Sequence, residues 1–197
     1  MQLGDTRIGL DAPPGFADTG FTGSPRLQEH AESLTSASNR VLLFAISDAD
    51  LRKFMGGDQM ELKRYAVIAT PKNAERDSLG TAAFARLTEN SLRELGAAPP
   101  KGTNFSRHLD SQPAGRAALL AELTKTSTVV SVIQGTRLPS QKRNEPPSYV
   151  VSTTTLLLVR GKALNLAVFS AYETDLDLDW ISDVTLRWVE DLKRLNR

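Results

Sequence analysis

Residues 149–172, YVVSTTTLLLVRGKALNLAVFSAY, constrain the fold more than any other stretch. Two long runs rich in Val, Thr, Leu and Ala flank Arg160-Gly161-Lys162. β-Branched and apolar residues of this kind suit a pleated, half-buried surface. A short connection carrying a glycine suits a tight hairpin, because glycine takes positive φ at little cost. The expectation is therefore two long antiparallel strands, Tyr149 to Val159 and Ala163 to Tyr172. A phosphate-binding loop needs several spaced glycines and then Lys-Ser/Thr at a helix start. Here one glycine stands alone and Ala163 follows the lysine.

The following DLDLDW, residues 175–180, opens an amphipathic run to Leu195, with Ile181, Val184, Trp188, Val189, Leu192 and Leu195 apolar. Alternating Asp superficially matches the start of a calcium loop. That loop needs glycine at its sixth place and glutamate at its twelfth, where this chain has Trp180 and Leu186. Carboxylates ahead of a helical pattern cap free amides and suit the helix dipole. The intervening leucines are expected to point inward, and Trp180 and Trp188 to share a core-facing side.

The rest of the chain alternates strand and helix patterns. Thr6 to Leu10 reads as a short strand stopped by Pro13-Pro14. Ser24-Pro25 starts a helix to Leu34. Arg40 to Ser47 and Tyr65 to Thr70 are near-continuous apolar runs, the pattern of strands covered on both faces. Between them Ser47 or Asp48 caps a short helix, Ala49 to Met55, ended by Gly56-Gly57. Asp77-Ser78 opens a helix from Leu79 to Leu95, stopped by Gly96. Residues 97–113 read mostly as loop, 116–122 as a strand or a helical turn, and Thr126 to Leu138 as a strand. The fold class expected is α+β. One domain, residues 1–197, carries a mainly antiparallel sheet with helices packed on both faces, an α/β/α sandwich, closed by the C-terminal hairpin and helix.

Composition excludes several chemistries. The chain has no cysteine, so thiolate metal sites, iron–sulfur clusters, disulfides and cysteine nucleophiles are absent. With 24 basic and 23 acidic residues the net charge is +1, too weak a field to recruit nucleic acid. Aromatic residues make up 6%, too few for a base-stacking platform. No apolar run approaches the ~20 residues that span a bilayer, so membrane insertion is not expected.

No catalytic motif stands out. His30 and His108 have no ligand partner at helical spacing. Ser106, His108 and Asp110 are the residue types of a triad but crowd one local segment, and no Gly-x-Ser-x-Gly elbow exists. Gly56-Gly57-Asp58 is more simply a helix stop and turn. No metal, cofactor or catalytic residue is assigned. The most polar stretch, residues 139–148, is expected to be an exposed connection. Gln141, Lys142, Arg143, Asn144 and Glu145 within it are the candidate residues for binding a protein partner, since loops carry function more often than cores do.

One resemblance concerns the two ends of the chain. A short strand running into Leu10-Asp11-Ala12-Pro13-Pro14-Gly15-Phe16 opens it. The hairpin from Leu156 to Phe169 and an amphipathic helix close it. This order resembles the PsbP-like α/β/α sandwich, the fold of an oxygen-evolving photosystem subunit and of a Ran-binding nuclear import factor. It also resembles uncharacterised exported bacterial proteins of similar length. The resemblance implies a non-catalytic protein that binds another protein and aids assembly, and it carries over no site residue. The abrupt start of structure after Met1 suggests a mature exported form, periplasmic or secreted, with a cytoplasmic protein as the alternative. The expectation is thus a non-enzymatic accessory protein, monomeric or weakly oligomeric, with an unidentified protein partner. The alternative is a small-ligand-binding protein or an unrecognised hydrolase.

Overall fold

The computed structural model describes residues 1–100, 102–139 and 146–197. The described chain forms nine strands and five α-helices, in this order. First come β1 (Gln2–Leu3), β2 (Thr6–Arg7), β3 (Phe16–Asp18), α1 (Pro25–Ser33), β4 (Asn39–Ser47), α2 (Asp48–Gly56) and β5 (Arg64–Pro71). Then follow α3 (Thr81–Leu92), α4 (Phe105–Asp110), β6 (Ala117–Lys125), β7 (Val129–Arg137), β8 (Tyr149–Val159), β9 (Lys162–Tyr172) and α5 (Asp175–Leu195). The fold is α+β, with a C-terminal helix after the strands. Seven strands make one antiparallel sheet in the order β3-β4-β5-β9-β8-β7-β6, and β1 and β2 pair apart from it. No helix among the described residues is long and apolar enough to cross a membrane.

The β8–β9 hairpin stays in register from Tyr149 opposite Tyr172 to Val159 opposite Lys162. Its turn residues, Arg160 and Gly161, both have positive φ, 49° and 77°. That is the twist a two-residue hairpin turn needs.

Strand alternation sorts the core. Leu43, Ala45, Ala66, Ile68, Leu166 and Val168 cluster with Leu178, Ile181, Trp188 and Leu192 of α5. Their neighbours in sequence, Phe44, Ile46, Val67 and Ala69, cluster instead with Leu27 and Ala31 of α1, joined by Leu51 and Phe54 of α2. A third cluster joins Phe84 of α3 to Leu156 and Ala163. Successive strand residues point to opposite faces, so the unbroken apolar runs of β4 and β5 feed two clusters at once. Buried hydroxyls satisfy each other: Ser131 meets Thr155 at 2.6 Å, and Thr153 meets Thr185 at 2.9 Å.

The N-terminal segment departs from the expected Thr6–Leu10 strand. Ile8 is buried as alternation requires, but only Thr6–Arg7 is strand. The main chain beyond is held by side chains of the last helix and its cap. Gly9 N–H donates to Asn196 Oδ1 at 2.8 Å, and Trp188 Nε1 donates to the Asp11 carbonyl at 2.7 Å.

Three further expectations need correction. α3 begins at Thr81 with Gly80 as its N-cap residue, not at Asp77-Ser78. Those residues dock the hairpin turn instead, where Leu79 N–H donates to the Gly161 carbonyl at 2.8 Å. The stretch expected as loop contains α4, capped by Asn104, whose side chain accepts from Arg107 N–H. Leu178 turns inward as expected, but Leu176 is 74% exposed, because it lies on the outer side of the first turn of α5.

Candidate functional site

A polar cleft opens where the ends of β4 and β9 meet the start of β5, with a cavity volume of about 360 Å³. Its residues arrive there for local reasons. Ser47 ends β4 and caps α2: its Oγ accepts from Asp50 N–H at 3.1 Å and donates to Asp50 Oδ2 at 3.0 Å. The other carboxylate oxygen of Asp50 accepts Glu61 N–H at 2.9 Å, tying the loop before β5 to the helix. Asp50 is only 6% exposed, and these bonds offset the cost of burying it. Leu62 in that loop has φ of 49°, an uncommon conformation for a residue with a side chain, just before Lys63 and Arg64 enter the cleft.

Arg64 is the centre of the site. Its Nη2 donates to Asp177 Oδ1 at 2.9 Å and its Nε to Ser170 Oγ at 3.3 Å. Its guanidinium carbon lies 3.9 Å from the centre of the Trp180 ring, within cation–π range. Phe16 packs on Trp180 in turn, with ring centres 6.1 Å apart. Asp177 Oδ2 accepts N–H from Glu173 at 2.9 Å and Thr174 at 3.1 Å, closing the N-terminus of α5. Burial pushes the Asp177 carboxyl up, but these amides and Arg64 outweigh it and hold it below the ordinary carboxylate range. Lys53 pairs with Glu61, and Lys63 with Glu173, at the rim.

Four carboxylates (Asp50, Glu61, Glu173, Asp177) thus face three cations (Lys53, Lys63, Arg64). The cleft is close to neutral and its charges are already paired or hydrogen-bonded within the fold. That arrangement gives a firm polar surface. Asp50 accepts two hydrogen bonds and Asp177 three from groups of the fold, which fixes the orientation of both carboxylates. Among the described residues, no group of three or more His, Asp or Glu side chains converges as a metal site.

The residues marked in the sequence fall as follows. Gln141, Lys142, Arg143, Asn144 and Glu145 lie outside the described residues. Lys162 points inward, 2% exposed, and donates to the carbonyls of Asp77 at 2.9 Å and Glu75 at 3.1 Å. Gly57 ends α2 at φ 83°. His30 packs edge-on to Phe44, 5.8 Å between ring centres. Ser106, His108 and Asp110 share α4, and no side-chain hydrogen bond joins them. Asp110 instead accepts the Tyr149 hydroxyl at 2.8 Å, and Asp175 accepts that of Tyr172 at 2.6 Å. Asp50, Arg64 and Ser170 carried no mark. Ser47-Asp48-Ala49-Asp50 does hold a capping-box spacing that would have located Asp50. Nothing local marks Arg64 or Ser170, which meet across 106 positions.

No family model matches the chain, and neither a curated protein nor a solved structure matches it.

Proposed function

We propose that this chain is a non-enzymatic accessory protein that binds a protein partner. The observation that supports this best is the state of the cleft. Arg64, Asp50 and Asp177 are bound to groups of the fold, so the cleft offers a patterned polar surface with its charged groups held in place. Such a surface suits recognition, where preorganised polar groups favour one partner over others. An α/β/α sandwich of the PsbP-like kind fits this reading, since α5 clusters with one set of alternating strand residues and α1 to α3 with the others. An exported, periplasmic or secreted setting is part of the same reading.

The segment holding Gln141, Lys142, Arg143, Asn144 and Glu145 is the proposed contact loop. It can be replaced cleanly, because Leu138 N–H donates to the Ser148 carbonyl at 2.8 Å across its base. The test is crosslinked capture from the native host, with residues 139–147 replaced by a short Gly-Ser turn as comparison. One enriched partner, lost on replacement, is the expected result. A partner retained after replacement removes the loop assignment. No specific partner, together with a metabolite that raises the melting temperature, favours a small-ligand protein instead.

A further inference from the structure

β3 covers only part of the outer edge of β4. It pairs with Ala45, Ile46 and Ser47, then leaves the sheet at Asp18 as a single 3-10 turn, Thr19–Thr22. No strand among the described residues pairs with Asn39–Phe44 on that side. Thr19 Oγ1 donates to the Phe44 carbonyl at 3.0 Å, in place of the next ladder bond, and the pairing stops there. A groove of about 250 Å³ runs along this open edge, between Val41–Phe44 on one wall and Gln28, Ala31 and Glu32 of α1 on the other. Unpaired strand amides and carbonyls call for an extended chain, because only a chain supplies complementary groups at strand spacing.

The rim adds a charge. Among the described residues, the only charged side chains lining the groove are Asp18 and Glu32. Asp18 accepts Gly20 N–H and Glu32 accepts Gln28 Nε2, and neither forms an ion pair among the described residues. Arg40, the cation on this strand, is taken by Glu75 at 2.7 Å. The rim therefore keeps its negative field for a ligand, unlike the paired carboxylates around Arg64. A bulge between Val41 and Leu43 interrupts the edge. Bulges oppose long edge-to-edge pairing between copies, while a short segment can still be accommodated.

We propose that this groove takes an extended segment of a partner protein as an added strand on β4, with a Lys or Arg of that segment between Asp18 and Glu32. The inference rests on the protein-binding reading above and assigns it a site apart from residues 139–148.

The test uses the full chain, immobilised, and a displayed random-peptide library. The expected winners alternate β-branched residues and carry Lys or Arg. Synthetic copies with N-methylation at alternate residues should then bind in a period of two: one set lost, the other retained. Gln28→Trp with Glu32→Arg fills and recharges the groove from exposed positions of α1. It should weaken binding about tenfold or more, the loss typical of a central contact, with an unchanged circular dichroism spectrum and melting temperature. Changing the peptide's Lys to Glu should restore part of the loss in that variant. Binding unaffected by the double substitution, or retained after N-methylation at both sets, overturns the strand-addition site. If no peptide is selected while native-host capture still yields a partner, this inference fails and the protein-binding reading stands. If both fail, the reading itself is gone. A doubled mass in light scattering, abolished by Gln28→Trp, would put a second copy in the groove and also overturn the proposal.

Discussion

Arg64 lies against the Trp180 ring at 3.9 Å while its Nη2 donates to Asp177, one helical turn earlier on α5. One side chain on β5 thereby fixes the start of the last helix twice. Arg64→Ala should cost about 1–2 kcal/mol, chiefly the lost cation–π contact. The ion pair adds little, because Arg64 is 40% exposed and water screens it. Arg64→Lys should lose most of the same energy, since an ammonium has neither the fork nor the flat face. Urea unfolding measures both.

Asp177 gives that contact a pH dependence. Its folded pKa is held down, so its contribution is complete above the unfolded value of ~3.9 and fades as pH falls through the folded value. Urea midpoints between neutral and acidic pH should fall less steeply for Asp177→Asn than for the parent chain. An equal fall would mean that Asp177 is not linked to acid unfolding.

Gly161→Ala should destabilise by about 1–2 kcal/mol from the left-handed backbone alone. A Cβ there would also sit 2.6 Å from Ser78 Oγ. The double variant Gly161→Ala/Ser78→Ala should therefore lose less than the sum of its single changes. Additive losses would show that the two residues do not touch.

Lys162→Met should cost about 1–3 kcal/mol, because the carbonyls of Glu75 and Asp77 lose their shared donor inside the fold. Hydrogen exchange should report this locally. The Leu79 amide, which donates to Gly161, should lose protection before the β8–β9 ladder does.

Tyr172 sits with its phenol pKa pushed up to about 12, by burial first and then by the hydrogen bond to Asp175. The neutral phenol is favoured in the fold, so this stabilisation is complete below the unfolded value of ~10 and disappears as pH rises toward the folded one. Alkaline absorbance titration should show a late-ionising tyrosine, and Asp175→Asn should bring it earlier.

Local signals account for most of the elements. α5 runs from Asp175 to Leu195 as its apolar spacing predicts, and the hairpin turn sits on Arg160-Gly161. The capped starts at Ser24 and Ser47 also hold. Two of the misses share one cause. Ile8 is buried without a strand, and Ser78 abuts the hairpin turn rather than capping a helix, because each answers to residues more than eighty positions away. The cleft is legible only in its near half. Ser47 and Asp50 lie within one capping spacing, whereas Arg64, Ser170 and Asp177 converge only once β5 lies beside β9.

That adjacency also sets an order of events during synthesis. β5 follows β4 closely in sequence and can pair with it as both emerge, whereas its other edge pairs with β9, made about ninety residues later, with Arg64 opposite Ser170. Until then Ala66, Val67, Ile68 and Ala69 form an open apolar edge on the emerging chain, the kind that recruits neighbouring nascent chains. Closing so long a loop before any contact rewards it makes folding slow. A ribosome that stops before residue 162 should release an aggregating fragment. The C-terminal hairpin is therefore no late ornament: its arrival seals the middle of a sheet whose two halves are born far apart.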